Sequence, residues 1–230
     1  MQTYDRLVTV FGGSGFVGRH VVRALARRGF RIRVAVRRPD LAGHLQPLGA
    51  VGQIHAVQAN LRYPDSVRQA VAGADIVVNC VGILYETGRQ KFDSVQARGA
   101  AVVARAATEA GARLVHISAI GADADGTSLY ARTKAAGEAA VLQEAPDAVI
   151  LRPSVVFGPE DDFFNRFAGL ARISPVLPLI GGGETRFQPV FVGDVAQAVM
   201  AAVDGRARAG AVYELGGPGV KSFRDLMEFV

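Results

Sequence analysis

The chain has 230 residues, half of them apolar, so it is long enough to bury a complete hydrophobic core. Its formal net charge of +5 comes from dispersed arginines without interleaved aromatic residues, which argues against a nucleic-acid-binding surface. A single cysteine, Cys80, excludes an intrachain disulfide and fits a reducing compartment. No apolar run has the length of a transmembrane helix, and no signal peptide is expected. These features predict a cytoplasmic protein without a transmembrane segment.

The first thirty residues predict a strand, a glycine turn and a helix. The apolar run 6–10 is typical of a buried strand, and Val17, Val21 and Leu25 have the spacing of one helix face. Between them, the spacing G-x-x-G-x-x-G resembles the phosphate-binding turn of dinucleotide sites. The unpaired N–H groups at the start of the helix would face the phosphates. We therefore predict a cofactor-binding turn formed by Gly12, Gly13, Ser14, Gly15, Phe16, Val17 and Gly18.

Strand-like and helix-like segments alternate through the next 130 residues. Strands are predicted at 31–36, 51–58, 75–80, 113–117 and 148–151, and helices at 64–72, 92–110 and 129–143. Such alternation is typical of α/β proteins with a parallel sheet. The predicted fold is an α/β, doubly wound parallel Rossmann sheet with helices on both faces.

After residue 152 the regular pattern breaks down. Prolines at positions 153, 159, 175, 178 and 189 and the glycine run 181–183 predict a small irregular C-terminal substrate region. Within this region we predict a helix at 193–202, a strand at 211–215 and a final helix capped by Ser222. We predict an NAD(P)-binding domain at 1–151 and a substrate or partner region at 152–230. Because the last helical pattern stops at Val230, this region is expected to be truncated.

The residues after the second predicted strand bear on the choice of cofactor. NAD sites usually carry an acidic residue there, but this chain has Arg37 and Arg38, whose guanidinium groups suit a 2′-phosphate. NADP(H) is therefore favoured, and NAD(H), with Asp40 reaching the ribose, stays as the alternative. From the order of the strands, we expect the adenine and its ribose to contact Asn60, Leu61, Val81 and Gly82.

A second pattern indicates proton transfer. Tyr130 and Lys134 are one turn apart on a predicted helix, and Ser118 follows the fifth strand. A nearby ammonium favours the phenolate of a tyrosine, and a serine hydroxyl can hold a carbonyl or alcohol. We predict Tyr130, Lys134 and Ser118 as catalytic residues, with Lys134 also binding the nicotinamide ribose.

Other polar and aromatic residues have simpler interpretations. The four histidines show no metal-ligand spacing, so no metal site is predicted, and His116 is expected to be a hydrogen-bonded core residue. The acidic pair 161–162 fits a helix N-terminus. Arg152 and Arg186 could equally face a ligand or solvent. Core packing is favoured over a quinone pocket for the remaining aromatic group, which comprises Phe163, Phe164 and Phe167.

Together these motifs resemble the short-chain dehydrogenase/reductase superfamily, in its extended or atypical branch. Within it, the stretches 151–167 and 188–196 are similar to the NAD(P)H-binding accessory subunits of respiratory complex I and their bacterial relatives. The resemblance implies a tightly held NADPH, a cofactor contact at Pro153, and docking to a respiratory membrane complex, peripheral to the inner membrane. One departure is the segment from Ser118 to Tyr130, which is shorter than in active extended members.

Three functions remain open at this stage. The chain could be an NADP(H)-dependent oxidoreductase acting on a small-molecule or quinone-like substrate. It could instead be an NAD(P)-dependent epimerase or dehydratase of a sugar nucleotide. Alternatively, it could hold the nucleotide as a structural subunit without turnover. The presence of Ser118, Tyr130 and Lys134 together favours an enzyme.

Overall fold

A computed structural model describes residues 5–173 and 179–229. The strands are β1 (Leu7–Phe11), β2 (Arg31–Val36), β3 (Ile54–Gln58), β4 (Ile76–Asn79), β5 (Arg113–Ile117), β6 (Val149–Pro153), β7 (Val156–Phe157), β8 (Arg186–Phe187), β9 (Val190–Phe191), β10 (Val212–Leu215) and β11 (Lys221–Ser222). The helices are α1 (Phe16–Arg27), α2 (Pro64–Val71), α3 (Arg98–Glu109), α4 (Leu129–Glu144), α5 (Phe164–Ala171), α6 (Val192–Val203) and α7 (Phe223–Glu228).

Seven strands form one parallel sheet in the order β10-β6-β5-β4-β1-β2-β3. The chain runs outward from β1 through β2 to β3, and then restarts on the other side of β1 with β4. Ligands of such sheets bind at the carboxyl ends of the two strands where the order reverses. Here those strands are β1 and β4, so the residues after Phe11 and Asn79 lie at the expected binding position.

Each face of the sheet has its own hydrophobic core, which explains why the strands are apolar on both sides. Helices α1 and α6 pack on one face, where Val21, Leu25 and Val199 are fully buried. Helices α2, α3 and α4 cover the other, with Val67 and Val103 fully buried. The predicted α/β fold with helices on both faces is confirmed.

Several predicted boundaries differ from those of the structure. The third strand begins at Ile54 rather than at residue 51, because Val51 is exposed in the preceding turn. The helix predicted at 92–110 starts with a π-helical turn at Asp93–Ala97 and becomes α-helical at Arg98. The prolines at 175 and 178 lie outside the described residues.

The helix predicted at 193–202 and the strand predicted at 211–215 are present as α6 and β10. Strand β10 lies at the edge of the sheet beside β6, and α6 packs on one face of the sheet. Helix α5 was not predicted from the sequence. The Ser222 cap of the last helix is present, since its Oγ accepts from the Asp225 N–H at 3.1 Å. Throughout the described residues, helices are too short or too polar to cross a bilayer.

Candidate functional site

The glycine turn between β1 and α1 is shaped by close backbone contacts. Gly12 has a φ of +72°, a conformation that side-chain-bearing residues rarely adopt. A Cβ on Gly18 would lie 2.2 Å from the Gly12 carbonyl oxygen, so only glycine lets α1 start this close to the turn. No side chain among the described residues caps α1, which begins after Gly15. Its first N–H groups are therefore available to a phosphate.

Two adjoining cavities open at this turn. The first, which we call the β2 cavity, has a volume of about 240 Å³ and lies over the ends of β1, β2 and β3. The second, the Tyr130 cleft, has a volume of about 620 Å³ and lies over β5, β6 and the start of α4. Gly12, Gly15, Cys80 and Gly82 line both cavities, so one elongated ligand could occupy the two together.

Most of the predicted cofactor residues line one of these cavities. The β2 cavity is lined by Ser14, Arg37, Asn60, Leu61 and Val81 in addition to the shared glycines. The Tyr130 cleft is lined by Phe16, Val17, Gly18 and Pro153. Gly13 lines neither, because a Cβ there would point at Val34 and Val22 beneath the turn.

The two arginines after β2 lie in different places. Arg37 lines the β2 cavity, whereas Arg38 does not. The Arg38 guanidinium instead pairs with Asp40, at 2.7 Å, and its side chain is 68% exposed. Asp40 raises the pKa of Arg38 through this hydrogen bond and its charge, and Arg38 in turn lowers the pKa of Asp40. A third arginine, Arg62, lines the β2 cavity and was missed by the sequence analysis.

Tyr130, Lys134 and Ser118 all line the Tyr130 cleft, together with the start of α1. Tyr130 packs edge-on against Phe92, with their ring centroids 5.7 Å apart. Burial raises the pKa of its phenol, so in this structure the neutral form is favoured. This direction is opposite to the one expected from a neighbouring ammonium.

Lys134 is nearly inaccessible, with 5% of its surface exposed. Its Nζ donates to the Ile117 carbonyl oxygen at 3.4 Å and would lie 3.5 Å from a Cβ on Gly82. Burial lowers the pKa of the ammonium to about 8, although the charge of Glu138 opposes this shift. Burial also raises the pKa of Cys80 to about 12, so its thiol stays protonated at neutral pH.

Ser118 has a partner that the sequence analysis did not identify. Its hydroxyl donates to Glu138, which also accepts from Arg152 at 2.7 Å. Glu138 and Ser118 are both buried. Because the serine proton is committed to a carboxylate, its oxygen can act only as an acceptor towards a ligand in the cleft. The signal for Glu138 was its spacing, four residues after Lys134 on the same helix face.

The remaining candidates have structural roles. His116 is buried and its Nδ1 lies 3.2 Å from the Asn79 amide, while burial and the Lys134 charge lower its pKa to about 3. Asp161 caps α5, accepting from the Phe164 N–H at 2.5 Å. The predicted aromatic group packs around Phe223, and Phe163 also lines the Tyr130 cleft.

These residues fit a dinucleotide. The turn offers free N–H groups, and a Cβ would block it at Gly18. The β2 cavity supplies cationic side chains on one side, and the cleft places Tyr130 and Lys134 on the other. The charge and chemistry of the two cavities thus fit a nicotinamide dinucleotide.

Comparison with known proteins agrees with this geometry. Residues 8–216 match the model of the NAD dependent epimerase/dehydratase family. The chain belongs to this family. Members of the family are named for their NAD dependence, which is consistent with a nicotinamide dinucleotide at the glycine turn.

The chain is also similar to individual members of the epimerase/dehydratase family and to solved structures. It is 39% identical to NADH dehydrogenase [ubiquinone] 1 alpha subcomplex subunit 9, mitochondrial, of Arabidopsis thaliana, over 97% of this chain and 57% of that protein. It is 35% identical to the ceramide reductase of Caulobacter vibrioides, over 85% of this chain and 60% of that protein. The chain therefore spans less than two thirds of these relatives' length.

A solved dTDP-glucose 4,6-dehydratase from Streptomyces venezuelae, with NAD and TYD bound, superposes with a TM-score of 0.81. The match covers 97% of this chain and 79% of that one at 22% identity, and it shows a shared fold. The comparisons thus confirm the resemblance to extended short-chain dehydrogenases and to the complex I accessory subunits.

Proposed function

We propose that this chain is an NADP(H)-dependent reductase of a carbonyl group carried on an apolar substrate. One observation carries the proposal: Tyr130 and Lys134 line the same cleft as the glycine turn. A proton donor therefore lies beside the position expected for the nicotinamide. The bound cofactor would supply the hydride.

The protonation states allow Tyr130 to act as the proton donor in a reduction. Tyr130 is buried and its pKa is raised, so it holds a proton that it can donate to a carbonyl oxygen. Lys134, with a pKa of about 8, is mostly charged at neutral pH and can stabilise the phenolate that forms. Ser118 presents an acceptor oxygen, which would hold the hydroxyl of the product alcohol.

The lining of the Tyr130 cleft favours an apolar substrate. Phe16, Ile83, Leu84, Ile120 and Val155 contribute to its walls. Lys134 is the one cation among the described residues that line it, and that residue faces the cofactor end. A sugar nucleotide would bring a diphosphate into this cleft, where no described arginine and no second lysine is present to receive it. The relative named ceramide reductase, whose name specifies a lipid, supports the same substrate class.

A second candidate is a nucleotide-holding structural subunit without turnover. It is favoured by the similarity to complex I subunits and by the engagement of the Ser118 hydroxyl with Glu138. In this case, NADPH would stabilise the fold while a surface of the chain docks onto a respiratory membrane complex. The protein would then lie peripheral to the inner membrane.

Turnover in a Tyr130→Phe variant separates the two candidates. The variant keeps the ring that packs on Phe92 but loses the donated proton. We expect NADPH oxidation with long-chain alkyl ketones, followed by absorbance, to fall by roughly 10²–10⁴-fold. NADPH affinity, measured by fluorescence titration, should stay within about twofold of wild type because the hydroxyl is not needed to hold the phosphates.

Tyr85→Phe is the matched control, because Tyr85 is exposed and does not line the cleft. It should leave both turnover and NADPH affinity unchanged. Wild-type protein that binds NADPH but oxidises none with any ketone would favour the structural candidate. Undiminished turnover in Tyr130→Phe would refute the assigned proton donor.

A further inference from the structure

Arg62 presents a polar atom without a partner. Its Nε is buried and makes no hydrogen bond within the part of the chain that the structure describes. Buried polar groups in native proteins are nearly always paired, so the unpaired Nε shows that no described residue engages this part of the Arg62 guanidinium. Arg62 lines the β2 cavity, where Arg37 also lies.

The position of Arg62 is fixed by its neighbours in the loop after β3. Its backbone N–H donates to Asn60 Oδ1 at 3.1 Å, and its guanidinium carbon lies 5.9 Å from the centre of the Tyr63 ring. Because β3 pairs with β2, with Gln58 opposite Val36, the loop that carries Arg62 runs beside the loop that carries Arg37. The two side chains thus reach one cavity from two strands.

Arg38 is a weaker candidate for the same role. Its Nε and Nη2 donate to Asp40 at 3.0 and 2.7 Å, and the pair lies outside the β2 cavity. Recruiting Arg38 to a phosphate would break this ion pair and leave Asp40 close to the incoming negative charge. Arg62 Nε carries no such cost because it has no described partner to give up.

We propose that Arg37 and Arg62 form the subsite for the 2′-phosphate of NADP(H). This inference rests on the proposed function only in taking the bound group to be a nicotinamide dinucleotide. A phosphate monoester carries up to two negative charges, which two guanidinium groups can neutralise through charge-assisted hydrogen bonds. Arg62 thus takes the specificity role that the sequence alone assigned to Arg38.

Binding of two small probes tests the subsite without any turnover. Adenosine 2′,5′-bisphosphate carries the 2′-phosphate, and 5′-AMP lacks it. In the full chain, Arg62→Met should weaken the bisphosphate by about tenfold or more in calorimetry, the effect of losing one charged hydrogen bond. The same variant should bind 5′-AMP within twofold of wild type. Arg62→Lys should recover part of the loss, since it restores the charge without the planar fork.

The double variant Arg38→Met, Asp40→Asn is the matched control, because it removes the ion pair without leaving an unpaired carboxylate near the phosphate, and it should bind both probes as wild type does. An equal loss of both probes in Arg62→Met would instead place Arg62 against the adenine, and would overturn the proposal. A bisphosphate loss as large in the Arg38→Met, Asp40→Asn double variant as in Arg62→Met would overturn it as well, as would wild-type protein that binds neither probe. Tight bisphosphate binding without ketone reduction would refute the reductase and leave this subsite standing.

Discussion

Lys134 keeps a charged group in an almost water-free position. The Ile117 carbonyl and the carboxylate of Glu138 offset only part of the cost of burying the ammonium. Its pKa is therefore lowered, to about 8. In the unfolded chain the same group would have a pKa of about 10.4. The unfolded state therefore binds more protons between pH 8 and 10, and stability contributed by this residue rises with pH in that window.

We therefore expect Lys134→Met to be more stable than wild type at pH 7 without cofactor. Replacing the buried ammonium by an apolar side chain of similar length removes its desolvation cost. A gain of ~1 kcal/mol would raise the melting temperature by about 2–4 °C for a chain of this size. The gain should shrink as the pH approaches 10, where the wild-type lysine is already neutral in the folded state. Thermal melts at pH 7 and pH 10 measure both effects.

Lys91→Met provides the comparison, since Lys91 is exposed and paired with Glu86 at the surface. Its melting temperature should change little at either pH. A Lys134→Met variant that melts below wild type at pH 7 would show that the ammonium stabilises the fold through its partners. The variant should in every case lose turnover.

At the scale of elements, Gly18 in the β1–α1 turn is needed both for close packing and for the expected phosphate site. An added methyl group at Gly18 would collide with the Gly12 carbonyl oxygen and the Gly13 Cα. We expect Gly18→Ala to cost roughly 1–3 kcal/mol, as overpacking usually does. The strain should also displace the first N–H groups of α1, which we expect to hold the cofactor phosphates. Thermal melts with and without NADPH should show a lower melting temperature and a smaller shift on adding the cofactor.

Gly169→Ala is the matched control, because that glycine lies inside α5 with open space around it. The substitution should stabilise the helix by about 0.5–1 kcal/mol and leave the NADPH shift intact. A full NADPH shift in Gly18→Ala would show that the phosphates are held elsewhere.

The sequence predicted those parts of the site that are formed by residues close together in the chain. The glycine spacing and the Tyr130-x-x-x-Lys134 spacing are local patterns, and the residues of both line the two adjoining cavities. Partners joined by tertiary contacts were not predictable in the same way. Glu138 reaches Ser118 only because α4 packs beside the end of β5. Likewise, the Arg38–Asp40 pair and the free Nε of Arg62 are decided by side-chain orientation, which two adjacent arginines in a sequence do not show.

At the scale of the molecule, a third cluster lies apart from the two that cover the sheet. Phe223, Leu226 and Met227 of α7 pack with Phe163, Phe167 and Phe187, and share no residue with the sheet clusters. Through Phe163, the cluster also supports one wall of the Tyr130 cleft. No residue of this cluster lines the β2 cavity. Cofactor binding and substrate binding should therefore respond differently to damage in this cluster.

Phe223→Ala tests that separation. Removing a buried aromatic ring lowers the free energy of unfolding by about 3–5 kcal/mol, and we expect the loss to fall on this small cluster. We expect faster hydrogen exchange in α5 and α7, a higher KM for the ketone, and binding of adenosine 2′,5′-bisphosphate within twofold of wild type. Val199 lies on the buried face of α6, and Val199→Ala should instead accelerate hydrogen exchange across the sheet. Exchange that rises equally in β1 to β6 of Phe223→Ala would show that the sheet and the α7 cluster unfold as one cooperative unit.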